Sequence, residues 1–172
     1  LWLTEEDRQN LVPKEPIAGD VIEVDRVVQQ RFFSTLGIDF MAGSVNSLPT
    51  RDSEMTITVE SVDDQGISLR LDGHGSMGEP FDEKLTGDAS SRGCEVRLLG
   101  KLHCNKSREF DRFDVVGVGK AWGNKTNYAR RQMSIQTVPW MYGIACEVVS
   151  GDSAIDRIPP YNLIHYNSSG EP

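Results

Sequence analysis

Apolar and polar residues alternate along most of the chain from Met55 onward, and a period of two is the signature of strands that bury one face. Met55, Ile57 and Val59 alternate with Thr56 and Thr58, and Ile67, Leu69 and Leu71 alternate with Ser68 and Arg70. Asp63-Asp64-Gln65-Gly66 supplies turn residues between them, so the two runs predict a hairpin. A second hairpin is predicted from Val96, Leu98 and Leu102, set among Glu95, Arg97, Leu99 and Lys101. It passes through the turn Asn105–Glu109 to a return strand Phe110–Val118. Gly117 and Gly119 interrupt Val115, Val116 and Val118, which predicts a bend or a close approach of another backbone. Trp140, Tyr142, Ile144, Cys146 and Val148 then alternate with Met141, Gly143, Ala145, Glu147 and Val149, the pattern of a central strand.

The first 50 residues keep a different rhythm. Thr4 before Glu5, Glu6 and Asp7 reads as a cap with acids in the first turn, predicting a short helix over about 4–10, which Pro13 and Pro16 end. Asp20 with Glu23 three positions on reads as the start of a second helix, with Val21, Val24, Val27 and Val28 at helical spacing. From Phe32 the period changes, and Leu36, Ile38 and Phe40 predict a strand; a helix continuing to Leu36 is the alternative. Loops are predicted at 42–53 and at about 123–136, and the glycine-rich stretch 73–93 reads as a long loop or a broken strand pair. The 73–93 stretch is a candidate functional loop by its length, although its Gly73–Gly75 pair lacks the strand-loop-helix context of a phosphate site.

These elements predict a mainly β fold, an antiparallel barrel or sandwich built from hairpins, with one or two short N-terminal helices. One domain is expected over 1–172, with a helical arm at 1–20 and an extended tail at 159–172. A chain of this size buries roughly 70% of its unfolded surface, enough for a core without metal or disulfide staples.

Charge narrows the partners. The net charge is −8, so the averaged field repels nucleic acid and anionic lipid, and the Arg130-Arg131 pair reads as solvated surface. No run of 18 apolar residues marks a membrane-spanning helix. Because the chain starts at Leu1, a preceding segment is expected, a signal peptide or lipid anchor among the candidates. Three cysteines exclude a full disulfide framework; buried small hydrophobes are the leading reading, and Cys104 with Cys146 is the pair to test for a bridge.

Candidate chemistry is sparse. His74, His103 and His165 with Cys94, Cys104 and Cys146 lack metal-ligand spacing, so no metal and no cofactor is expected. A nucleophile elbow is absent, and no catalytic residue is assigned. Asp111 and Asp114 flank Arg112 with opposite parity, which predicts an ion-paired exposed edge rather than a facing carboxylate pair. Carboxylates gathered from separate strands stay open. Trp122, Trp140 and Tyr142, with Asn124, Asn127 and Tyr128, combine flat apolar faces with polar groups of the kind that orient sugars and similar ligands. The candidate ligand-binding residues are therefore Trp122, Asn124, Tyr128, Trp140 and Tyr142, with core packing as the competing role for Trp122, Trp140 and Tyr142. Asn105, Asn124 and Asn167 each begin an N-x-S/T triplet and read as turn chemistry.

Leu98–Leu102, then Phe110-Asp111-Arg112-Phe113-Asp114-Val115-Val116 through Gly119 and on to Trp122-Gly123, resembles a pattern in exported bacterial proteins with no assigned activity. The match covers about a fifth of the chain, and Trp140-Met141-Tyr142-Gly143 departs from the family's proline-leucine-glycine strand opening. The resemblance implies an exported β-domain in the periplasm or cell envelope and supplies no catalytic residue. A domain binding a small molecule, glycan or protein is the leading expectation. A hydrolase working through carboxylates from separate strands and a structural oligomerisation unit are the alternatives.

Overall fold

The computed structural model describes residues 5–36, 48–81, 93–127 and 132–147. Over them the protein is mainly β, with two helices and six strands: α1 Glu5–Leu11, β1 Val21–Glu23, α2 Arg26–Leu36, β2 Thr50–Val62, β3 Gly66–Gly78, β4 Gly93–Asn105, β5 Phe110–Asn127 and β6 Gln132–Cys146. All strands join one antiparallel sheet in the order β1-β2-β3-β4-β5-β6. Among the described residues no ladder joins β6 back to β1, so the sheet is open.

Both predicted hairpins form. In the first, Val62 faces Ile67 across a turn whose Asp63 side chain accepts hydrogen bonds from the backbone N–H groups of Gln65 and Gly66. Gly66 is required there: its φ is +148°, and a Cβ would sit 2.0 Å from the Cys104 carbonyl oxygen. In the second, the turn is closed by Asn105, whose side chain bonds both the backbone and the carboxylate of Glu109.

Several expectations are corrected. Of the two readings of 73–93 the broken strand pair holds, since the chain is strand as far as Gly78 and again from Gly93. Gly73 and Gly75 face inward, and the side chain that Gly75 lacks is replaced by the buried Phe33 ring. The predicted loop at 123–136 is likewise strand over Gly123–Asn127 and from Gln132. The region 42–53 gives way to β2 from Thr50, five residues before its apolar alternation begins. β6 ends the strand order rather than lying at its centre.

At the N-terminal side, Val21–Glu23 is strand, not helix, because β2 takes its backbone groups. Val21, Ile22 and Glu23 pair with Thr58, Ile57 and Thr56, and the N–H groups of Gly19 and Val24 donate to the carbonyls of Val59 and Met55. Asp25, not Asp20, caps α2, its carboxylate accepting from the Val27 N–H at 2.8 Å. α2 then runs to Leu36, the alternative reading of that segment. Ile38 and Phe40, Thr4, and the tail at 159–172 lie outside the described residues.

The core occupies one face of the sheet. Val28, Phe32 and Phe33 of α2 pack with Met55, Ile57, Leu69, Leu71, Leu98 and Leu102, and Phe32 stacks on Phe113 at 6.1 Å. α1 is tied to α2 by an ion pair between the buried Asp7 and Arg31. Arg108, at a φ of 64°, reaches from the β4–β5 turn to the carbonyls of Val12, Pro13 and Lys14, which fastens the arm to the sheet.

Candidate functional site

Strand alternation assigns every second residue to the face away from α2, and cross-strand register groups them into rows. One row runs Glu54, His74, Arg97, Val118, Gly143 and another Asp52, Ser76, Glu95, Lys120, Met141. The parallel row Asp72, Leu99, Val116, Ala145 completes the patch. Leu99, Val116, Val118 and Met141 are 45%, 52%, 57% and 62% exposed, although the core face of the same strands is closed. Four large apolar side chains in three consecutive rows form a continuous strip rather than scattered single residues.

This strip continues into a shallow trough of about 530 Å³ that crosses the strands. Arg51, Asp52, His74, Ser76, Glu95 and Arg97 line its β2–β4 end, and Val118, Lys120 and Met141 its β5–β6 end. Arg97 is 3.4 Å from Asp72, and His74 is 3.9 Å from Glu54. The trough is thus charged at its β2–β4 end and mixed at its β5–β6 end, where Lys120 stands with Val118 and Met141, on a face whose acids and bases are interleaved.

The residues proposed from sequence for ligand binding fall elsewhere. Trp122 is buried: its indole N–H donates to the Glu79 carbonyl at 3.0 Å and its ring meets Phe81 edge-on. It lies over Gly93 and against Phe81, where the interrupted register between Ala121 and Gly123 inserts it. Pro139, which has no N–H to donate, lies in the same interruption. Trp140 and Tyr142 are half-buried on the core face of β6, opposite Ala121 and Gly119. The Tyr142 ring fills the space a Gly119 side chain would need, 2.6 Å from that position. Its hydroxyl is buried beside the Cys94 thiol, and burial first, then that thiol, pushes the phenol upward. Asn124 is a β5 residue paired with Ile135, and Tyr128 lies outside the described residues. Among the described residues of the five, Trp140 and Tyr142 share the core face of β6, two positions apart.

Sequence reasoning passed over the outer strip, and at the far end of the same face it named Asp111, Arg112 and Asp114 without their partner His103. There His103 Nδ1 is 2.6 Å from Asp111 Oδ1, and Arg112 Nε is 2.5 Å from Asp114 Oδ2. The expected ion-paired edge is present, and a β-bulge builds it. His103 faces Arg112 while Cys104 faces Phe110, so Asp111 is an extra residue that joins Arg112 on the exposed face. Cys104 and Cys146, the pair to test for a bridge, are free thiols, as is Cys94. Burial raises each of them, Cys104 to about 12. Among the described residues no three His, Cys, Asp or Glu side chains converge as a metal site, and no helix is long and apolar enough to cross a membrane.

Comparison with family models, with curated proteins and with solved structures finds no match for this chain.

Proposed function

We propose that this chain is a binding domain of an exported protein and that the outer face of β3–β6 takes a protein partner. The observation that carries this reading is the exposed strip Leu99, Val116, Val118 and Met141 running into the trough. Leaving such a strip in water costs free energy that a partner's apolar surface recovers, at roughly 25 cal/mol per Å² covered. The interleaved charges of Asp72, Glu95, Arg97 and Lys120 set the orientation of that partner rather than its affinity. A β-sheet laid on this face would complete a two-layer sandwich; closure into a barrel would instead join β6 to β1. Export rests on the resemblance carried by Phe110–Gly119.

An array of extended and β-hairpin peptides, alongside glycans, tests the reading. Peptide binding is expected, and Val118→Asp or Met141→Asp is expected to abolish it with far-UV circular dichroism unchanged. Glycan binding alone, or peptide binding indifferent to both substitutions, overturns the protein-partner reading.

A second reading places a small ligand against Trp140 and Tyr142, favoured by the buried Tyr142 hydroxyl, whose neighbour is the Cys94 thiol. It predicts that Tyr142→Phe weakens binding without loss of stability. The carboxylate hydrolase has less support: the outer-face acids Asp72, Asp111 and Asp114 each face a base, not another acid.

A further inference from the structure

We propose that Ser68, His103 and Asp111 form an acyl-transfer site, with Ser68 as nucleophile, His103 as its base and Asp111 as the residue that positions the imidazole. The three belong to β3, β4 and β5 and share the face away from α2. Ser68 lies directly opposite His103 in the β3–β4 ladder, and Asp111 holds His103 Nδ1 from the β5 side. With Nδ1 engaged toward β5, ring geometry leaves Nε2 on the β3 side, where Ser68 stands. Facing residues on adjacent strands have Cβ atoms about 4.5–5.5 Å apart, so the hydroxyl is within one water or one rotamer change of Nε2.

Two irregularities of the sheet converge on this row. The β5 bulge adds Asp111; a regular ladder would turn that residue toward the core, away from His103. The β2 register shift between Val59 and Ser61 sets Ser61 opposite Ser68 at the other end of the row. Bulges re-aim side chains and concentrate beside active sites. One row along on the same face, Arg70 stands directly opposite Lys101, and Lys101 in turn faces Asp114, whose carboxylate is engaged by Arg112; neither Arg70 nor Lys101 makes an ion pair among the described residues. Facing like charges are unfavourable by themselves, and negative charge arriving beside them offsets that cost.

The chemistry follows from these positions. Ser68 Oγ attacks the carbonyl carbon of an ester, forming the Oγ–C bond while its proton passes to His103 Nε2. The bond from that carbon to the leaving oxygen breaks, and the alcohol departs with the proton. Water then attacks the acyl group, His103 takes its proton and returns it to Ser68 Oγ, and a carboxylic acid leaves. Arg70 and Lys101 attract the negative charge that develops on the carbonyl oxygen. The row is open to solvent, so its substrates are small, unhindered carboxylic esters. It lies at the other end of the strands from the trough, and the two proposals stand or fall separately.

Incubation of the full chain with a fluorophosphonate, read by intact mass and peptide mapping, tests the site. The expected result is one adduct, on Ser68, with fluoride lost and no adduct in Ser68→Ala. Labelling is expected to slow at least about tenfold in His103→Ala and in His103→Gln. Imidazole added to His103→Ala is expected to restore part of the rate, which a purely structural role would not produce. Asp111→Asn is expected to slow labelling less than either His103 variant. No adduct, an adduct on another residue, or labelling of Ser68 unchanged in the folded His103 variants overturns the proposal.

Discussion

Cys104 is fully buried in β4, and that burial pushes its thiol from the usual 9.0 up to about 12, with the Asp111 carboxylate adding to the rise. The folded chain therefore holds this proton where the unfolded chain releases it. The stabilisation is intact below pH 9 and is lost as pH rises toward 12. Chemical denaturation followed across that range is expected to show falling stability, with a weaker pH dependence in Cys104→Ala. At pH 8 the Cys104 thiol is expected to resist alkylation in the folded protein and to react fully in urea, read by mass. A glycine decides another contact. A Cβ at Gly75 would lie 2.5 Å from the fully buried Phe33 ring, which has no room to withdraw. Gly75→Ala is expected to cost about 1–3 kcal/mol by thermal or denaturant unfolding.

At the scale of elements, the N-terminal arm and α2 are held by a few polar contacts over an apolar base. Asp25 caps α2, and Asp25→Ala is expected to destabilise the fold by about 0.5–2 kcal/mol. Arg108 carries the larger structural role, since one guanidinium satisfies three successive carbonyls of the arm. Arg108→Ala is expected to cost about 1–3 kcal/mol and to speed hydrogen exchange and proteolysis around Val12–Glu15 before the sheet itself opens. The helical spacing of Val21, Val24, Val27 and Val28 shows how tertiary pairing overrides local pattern. Val24 and Val28 are buried as that spacing requires, yet the backbone of Val21–Glu23 is taken by β2, so the segment is extended before the helix begins.

For the whole molecule, the two faces of one sheet divide the work. α2 and the arm close one face, and the other keeps the apolar strip, the trough and the Ser68–His103–Asp111 row. The double variant Val116→Lys, Val118→Lys is expected to change folding stability by no more than about 0.5 kcal/mol, because both side chains are exposed. Peptide binding to the same variant is expected to vanish, which separates a binding surface from a packing one.

The period-two runs at Met55–Val59, Ile67–Leu71 and Val96–Leu102 determined the hairpins by themselves, because alternation and turn chemistry are both local. The same local rules left Gly73–Gly78 between loop and strand and misread Gly123–Asn127 as a loop, since a glycine's place in a ladder depends on what fills the space it leaves. Phe33 fills it at Gly75 and Tyr142 at Gly119, and neither is near in sequence. Two consecutive valines at 115 and 116 carried a trace of the outer strip, since one of them had to face away from the core. Only the assembled sheet decided that Leu99, Val116, Val118 and Met141 meet, that Trp122 is enclosed, and that Asp111 turns outward to His103. Register and bulges are properties of paired strands, and no single strand contains them.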